Sequence, residues 1–301
     1  VHPVERASSA GEIAHRPRRC VTMKRGMRIA RCLPACRLSR GETMDDVIYA
    51  TDGAVCTITL NRPERRNAVD GPTALLLSEA FERFEADAAL GVAILTGAGG
   101  HFCAGADLKA VGDPALRNSV DPTGEGPGPM GPSRMALSKP LIAAVAGHAV
   151  AGGLELALLA DLRVAEEDAV FGVFCRRWGV PLIDGGTVRL PRVVGMGHAM
   201  DMILTGRPVG AQEAKGMGLV NVVAPNGEAL AHATRIARQI AAFPRQCMLA
   251  DRRSAYEQWD LPLAEALRRE GATGAPVVFA EGVAGAARFS AGEGRHGSFS
   301  D

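Results

Sequence analysis

No apolar run in this chain of 301 residues is long enough to cross a bilayer. That leads us to expect a soluble, cytoplasmic protein with no membrane partner. Its seven cysteines are odd in number and scattered (Cys20, Cys32, Cys36, Cys56, Cys103, Cys175 and Cys247), so no disulfide framework is implied. Cys32 and Cys36 have no second Cys/His pair nearby, and no zinc site is expected. Lysine is scarce, confined to Lys24, Lys109, Lys139 and Lys215, which argues against nucleic-acid binding. No repeat of solenoid period is present.

What is there begins with a charge asymmetry hidden under a net charge of +1. Residues 1–43 hold ten basic and three acidic groups, and the remainder holds 24 basic and 30 acidic. The basic arm lacks hydrophobic periodicity, and Met44-Asp45-Asp46 directly precedes the first strand pattern. We expect 1–43 to be a disordered extension or to derive from a start codon placed too far upstream, a transit peptide being the alternative. The organisation expected beyond it is an α/β core over 44–205 and a helical region over 206–301.

Val47 to Leu60 alternates as a strand pair turning at Thr51-Asp52-Gly53. Asp70-Gly71-Pro72 starts a helix whose Leu75, Leu76, Leu77, Ala80, Phe81 and Phe84 recur at helical spacing. Val92–Thr96 is a buried strand. Val111 to Pro132, rich in Pro, Gly and Asp, is a long loop with the character of a lid. Within it, Gly126-Pro127-Gly128-Pro129-Met130-Gly131 matches G-x-G-x-x-G, but it follows no strand and contains prolines, so a dinucleotide fingerprint is rejected. Leu141–Ala146, Leu162–Ala165 and Ala169–Gly172 are further strands. Helices are expected over Thr187–Val194, Met200–Leu204, Ala211–Met217, Glu228–Phe243 and Leu263–Gly271. Strands alternating with helices, then helices alone, imply an α/β core with a helical C-terminal part.

The stretch with most chemistry is His148-Ala149-Val150-Ala151-Gly152-Gly153-Leu154-Glu155. A strand-like run enters it and a helix-like run leaves it. Glycine lets backbone approach a ligand, and the first N–H groups of a helix lack partners inside it. Glu155, about one turn on, projects from a similar face. A donor for an oxyanion beside a carboxylate suits chemistry at the α or β carbon of a carbonyl compound. The bland alternative is a tight turn with a solvent-facing Glu155.

These residues resemble the crotonase superfamily, the enoyl-CoA hydratase/isomerase family, from about Met44 to Gly294. Four blocks carry the resemblance: Ile58–Pro63 with Asn67-Ala68, His101–Leu108, Lys139–Ala157, and Phe171-Gly172 through Gly185-Gly186-Thr187 to Leu190. It implies a crotonase-like spiral of stacked ββα turns with a helical C-terminal trimerisation region, assembled as trimers or dimers of trimers. It also implies an acyl-CoA thioester whose carbonyl oxygen gains charge as an enolate, held by the N–H groups of Ala106 and Gly152. Arg65 and Arg66 would reach CoA phosphates, and Ala68, Ala104, Gly105, Asp107 and Leu108 would line the CoA site. Asn67 should brace its turn. No cofactor beyond the CoA of the substrate and no metal is implied.

The chain departs from the hydratase pattern at one point. Glu155 matches the first of two water-holding glutamates, but Cys175 stands where the second should be. A thiol does not replace a carboxylate as a water-binding base. Asp184 lies close by in sequence and could pair with Glu155, or could cap the helix that follows. The activity expected is that of an enoyl-CoA hydratase, the alternatives being a single-base isomerase or an inactive CoA-thioester-binding homologue. Cys175 as a covalent nucleophile and Trp178 as an acyl-pocket wall remain open.

Overall fold

The computed structural model describes Thr43, Met44 and residues 46–294. The expectation for the basic arm therefore lies outside the described residues. Strand β1 (Thr43–Met44) pairs with β2 (Val47–Asp52), which turns at Gly53 into antiparallel β3 (Val55–Leu60). Gly53 has φ +56°, a conformation that suits glycine at a hairpin turn. Helix α1 (Gly71–Ala86) follows. Asp70 caps it by accepting from the Thr73 N–H at 3.0 Å, and Pro72 sits in its first turn, as the sequence suggested. Leu77, Ala80, Phe81 and Phe84 are buried along one face, but Leu75 is 68% exposed.

The large sheet continues in parallel through β4 (Val92–Gly97), β5 (Leu141–Val145), β7 (Leu162–Glu166) and β10 (Val222–Ala224). A second sheet joins β6 (His148–Val150), β8 (Val170–Gly172) and β9 (Val209–Gly210). The pattern is a ββα turn repeated. β5 and β6 lead into helix α2 (Gly152–Leu159), and β7 and β8 lead into helix α3 (Gly186–Thr205). Cys103 bridges Ala149, so the loop after β4 adds a rung beside β6. The resemblance implied this stacking.

Alternation places the large sheet between two apolar layers. Ala93, Leu95, Ala143 and Val145 join the main core with α1 and α2. Val92, Ile94, Ile142 and Ala144 face the opposite layer, which helix α5 (Ala229–Ala242) closes with Ala229, Ala233 and Ala237. Burial on both faces is why β4 and β5 read as unbroken apolar runs. Each such fully buried Val or Ile contributes roughly 1.5–3 kcal/mol.

The helical region follows the sequence reading in part. The two helices expected around Thr187–Leu204 are the two limbs of α3, which kinks at the non-helical Gly195 (φ 75°) and carries Pro191 in its first limb. Helix α4 (Ala211–Gly216) matches its expectation. Helices α6 (Arg245–Glu257), α7 (Leu263–Val277) and α8 (Val283–Ser290) complete the region, and α6 and α8 were not foreseen. None of the three contains a buried residue, and apolar side chains such as Leu263, Leu267 and Phe289 stay exposed on α7 and α8. Polar contacts hold α6 to the core: Arg252 pairs with Asp161 at 2.9 Å, and Arg245 donates to the Ala88 carbonyl at 2.6 Å.

Candidate active site

Strand β6, the start of α2, the loop after β4 and the segment between β8 and α3 surround a cavity of about 1100 Å³. Glu155, Asp184, Ala106 and Gly152 all reach its wall.

Gly152 is the first residue of α2, and Ala151 before it holds φ 54° and ψ −125°. That strained turn aims the chain from β6 into the helix. The site needs glycine at two positions. A Cβ on Gly153 would lie 2.1 Å from the Cys103 carbonyl, and one on Gly105 (φ +97°) would lie 2.9 Å from Ala151 Cβ. That same Gly105 Cβ would be 3.1 Å from the Gly152 nitrogen, so the two loops meet back to back.

Val69 fixes the direction of Ala106. It donates to the Gly105 carbonyl and accepts from the Asp107 N–H, both at 2.9 Å. In a parallel bridge of this kind the central residue turns its own N–H the other way. Among the described residues the N–H groups of Ala106 and Gly152 have no protein acceptor. Two free donors therefore stand at one wall of the cavity.

Glu155 is not solvent-facing. It is 2% exposed, and its Oε1 accepts from the N–H of Asp184 at 2.9 Å and of Gly186 at 2.8 Å. Among the described residues the other oxygen takes no hydrogen bond. Burial pushes its pKa up to about 7, nearby Asp184 pushes the same way, and the two N–H groups oppose them. A Cβ on Gly186 would press on Glu155 Oε1 at 2.9 Å.

Asp184 is not the cap of α3; Gly185 holds that position with φ 95°. The Asp184 side chain turns inward and is 4% exposed. Its Oδ1 accepts from the Met130 N–H at 2.9 Å and from the Ser133 hydroxyl. Burial raises its pKa, against the pull of those two donors and of Arg134 and Arg189. Cys175 also lines the cavity, and burial followed by the charge of Glu155 raises its thiol pKa. Trp178, 71% exposed, stands on the rim.

The residues expected at a CoA site divide. Arg66, Ala104 and Leu108 line the cavity. Arg65, Ala68, Gly105 and Asp107 are not among its lining residues. Arg65 binds Asp107 at 2.6 Å, and buried Arg62 joins Asp70 at 2.7 Å and the Ala68 carbonyl at 2.6 Å. Asn67 braces the turn as expected, accepting from Arg62 N–H at 2.8 Å and donating to Ala98 O at 2.8 Å and His101 O at 2.6 Å. The sequence reading missed His148, which lines the cavity 3.4 Å from His101, and Met130 and Ser133. The only signal for the last two was the glycine spacing of Gly126–Gly131.

The sequence profile described as enoyl-CoA hydratase/isomerase matches residues 50–272. The chain belongs to that family. An enoyl-CoA hydratase from Mycobacterium tuberculosis is 38% identical over 249 residues, covering 80% of this chain and 91% of that protein. A carnitinyl-CoA dehydratase from Escherichia coli K12 is 36% identical over 235 residues, covering 75% and 86%. The crystal structure of an enoyl-CoA hydratase from Mycobacterium marinum superimposes with a TM-score of 0.76 at 37% identity, covering 82% of this chain and 96% of that one. Family membership and the crotonase fold with its helical C-terminal region agree with the reading of the four sequence blocks.

Proposed function

We propose that this cavity adds water across the double bond of a 2-enoyl-CoA thioester. One observation carries the proposal: each carboxylate has one oxygen tied by two donors, which leaves the other for a water molecule. Glu155 Oε1 and Asp184 Oδ1 are the tied atoms. A water between the two free oxygens is oriented from both sides. Asp184 thereby takes the part of the glutamate that Cys175 replaces.

In the proposed step, ionised Glu155 takes a proton from the water as its oxygen bonds to the β carbon. The π electrons move toward the thioester, and the carbonyl oxygen gains charge against the N–H groups of Ala106 and Gly152. Glu155 then returns the proton to the α carbon. Water has been added, and the carboxylate is regenerated. Each oxyanion donor is worth about 3 kcal/mol of transition-state stabilisation. No resident cofactor is needed for these steps.

Exposed Arg66 on the cavity wall supports phosphate binding there, since guanidinium matches phosphate oxygens. Relatives named as hydratases and a dehydratase favour this reading over an isomerase or an inactive homologue. The reading extends to a cytoplasmic trimer. Exposed Leu263, Leu267, Phe279 and Phe289 on the C-terminal helices support the assembly, being apolar surface that a second copy would cover.

The test follows the enoyl-thioester absorbance of crotonyl-CoA with the Cys175→Ser and Asp184→Asn variants. Loss of turnover in Asp184→Asn but not in Cys175→Ser supports the pairing. The reverse result contradicts it.

A further inference from the structure

The glycine-spaced stretch that the sequence reading rejected as a dinucleotide fingerprint has no role in the steps above. Its position in the fold suggests one. Gly128 and Gly131 form an isolated bridge, closed by the Gly131 N–H to the Gly128 carbonyl at 2.8 Å. This tight turn ends the long loop Val111–Pro132. Gly131 holds φ +85°, and a Cβ there would lie 2.4 Å from the Ala74 carbonyl on α1. A Cβ on Gly128 would lie 1.8 Å from Ser133 Oγ and 2.6 Å from Asp184 Oδ1. Both glycines are therefore required for the turn to seat where it does.

Three parts of the turn touch the chemistry. The Met130 side chain is fully buried against the oxyanion turn, where a Cβ on Gly152 would meet Met130 Sδ at 2.7 Å. The Met130 N–H donates to Asp184 Oδ1 at 2.9 Å. The Ser133 hydroxyl, fully buried, donates to the same oxygen. Arg134 adds a bond from its Nη2 to the Ile183 carbonyl at 3.0 Å, tying the backbone just before Asp184.

We infer that Gly128–Ser133 is a latch that positions Asp184, with Ser133 as its positioning residue. The latch saturates one carboxylate oxygen and turns the other toward Glu155 and the water. It couples the conformation of the long loop to that of the second acid, because the loop ends in the turn that holds it. Asn118, farther up the same loop, donates to the Pro129 carbonyl at 2.8 Å and to the Val69 carbonyl at 3.1 Å. It thereby joins the latch to the strand edge that orients Ala106.

The titratable and charged groups around Asp184 are Glu155 from α2, Cys103 from the loop after β4, Arg134 from beyond the turn and Arg189 from α3. Ser133 adds a neutral donor to that set. A donor to a carboxylate favours its ionised form, so its removal raises the pKa of Asp184. The inference rests on the proposed role of Asp184 as partner of Glu155.

The test compares Ser133→Ala and Gly128→Ala with Asp184→Asn, following hydration of crotonyl-CoA across pH. The latch predicts a fall in kcat of about tenfold in Ser133→Ala with KM little changed, since a hydrogen bond to a charged group is lost. Because Glu155 and Asp184 titrate as a coupled pair and the proposed step uses both as carboxylates, the acidic limb reports the last ionisation of the pair, and a raised Asp184 pKa moves it to higher pH. Gly128→Ala, which displaces the hydroxyl from outside, moves the limb the same way. In the Asp184→Asn background, where residual turnover is followed, Ser133→Ala adds no further loss. A Ser133→Ala protein that melts at lower temperature, yet keeps the acidic limb in place, overturns the latch and leaves Asp184 untouched. An Asp184→Asn protein with full activity and an unaltered limb overturns the pairing and the latch together.

Discussion

The backbone N–H of Asp184 donates to Oε1 of Glu155 at 2.9 Å, so one acid of the pair helps to fix the other. The two side chains come from different ββα turns, and the bond between them joins α2 to the loop that starts α3. Each carboxylate is anchored on one side and open on the other. The chemistry proposed for the cavity depends on that asymmetry.

Burial, with the charge of Asp184, pushes the Glu155 pKa up to about 7. That value predicts that kcat/KM rises with pH through about 7, because the base must be ionised. A pH–rate profile with crotonyl-CoA checks this.

The same shift has a stability consequence of opposite sign. Between the ordinary carboxylate value of 4.5 and about 7, the folded protein holds a proton that the unfolded chain has lost. Stability therefore falls as pH rises across that window and levels above it. The loss is on the order of 3 kcal/mol, from the linkage between a pKa difference and free energy. Glu155→Gln keeps an oxygen for the two N–H groups and removes the buried charge. Its melting temperature should exceed that of the wild type at pH 8, and the gap should close below pH about 4.5.

Gly105→Ala should damage the oxyanion site selectively. The added Cβ forces Ala151 and Gly152 away from the Ala106 loop. Turnover should fall on the order of a hundredfold, the cost of losing one such donor. Steady-state kinetics beside a thermal melt separate this from unfolding.

Cys175→Ser should keep activity within about threefold. Burial holds the thiol protonated, and a protonated thiol is a poor nucleophile. Loss of turnover, or a mass adduct on Cys175 during turnover, would assign it a covalent role.

Arg66→Ala should raise KM for CoA thioesters roughly fivefold with kcat unchanged, because phosphate contacts bind substrate and transition state alike. Arg65→Ala should affect KM less directly, since Arg65 is already engaged by Asp107 at 2.6 Å.

Much of this was legible in the chain because it is local. Gly152-Gly153-Leu154-Glu155 announces a strand turning into a helix, and Asp70-Gly71-Pro72 announces a cap and a start. The orientation of Asp184 was not legible. Sequence offered a cap or a second acid, and the choice is made by Met130 and Ser133, which lie 54 and 51 residues away. Leu75 fitted the helical pattern yet faces outward, since periodicity marks a face without saying how much of it is covered. Helix α6 was silent for the opposite reason. It is held by Arg245 and Arg252 to backbone and Asp161, and polar docking leaves no periodic stripe to read.

The measurement that bears most directly on the central claim is the ultraviolet absorbance of crotonyl-CoA mixed with wild-type protein and with Glu155→Gln. The account predicts bleaching by the wild type, a 3-hydroxyacyl thioester as product, and a fall in rate of about a thousandfold in the variant. No bleaching by a wild-type protein that still binds CoA thioesters, or bleaching that survives Glu155→Gln at full rate, would contradict it.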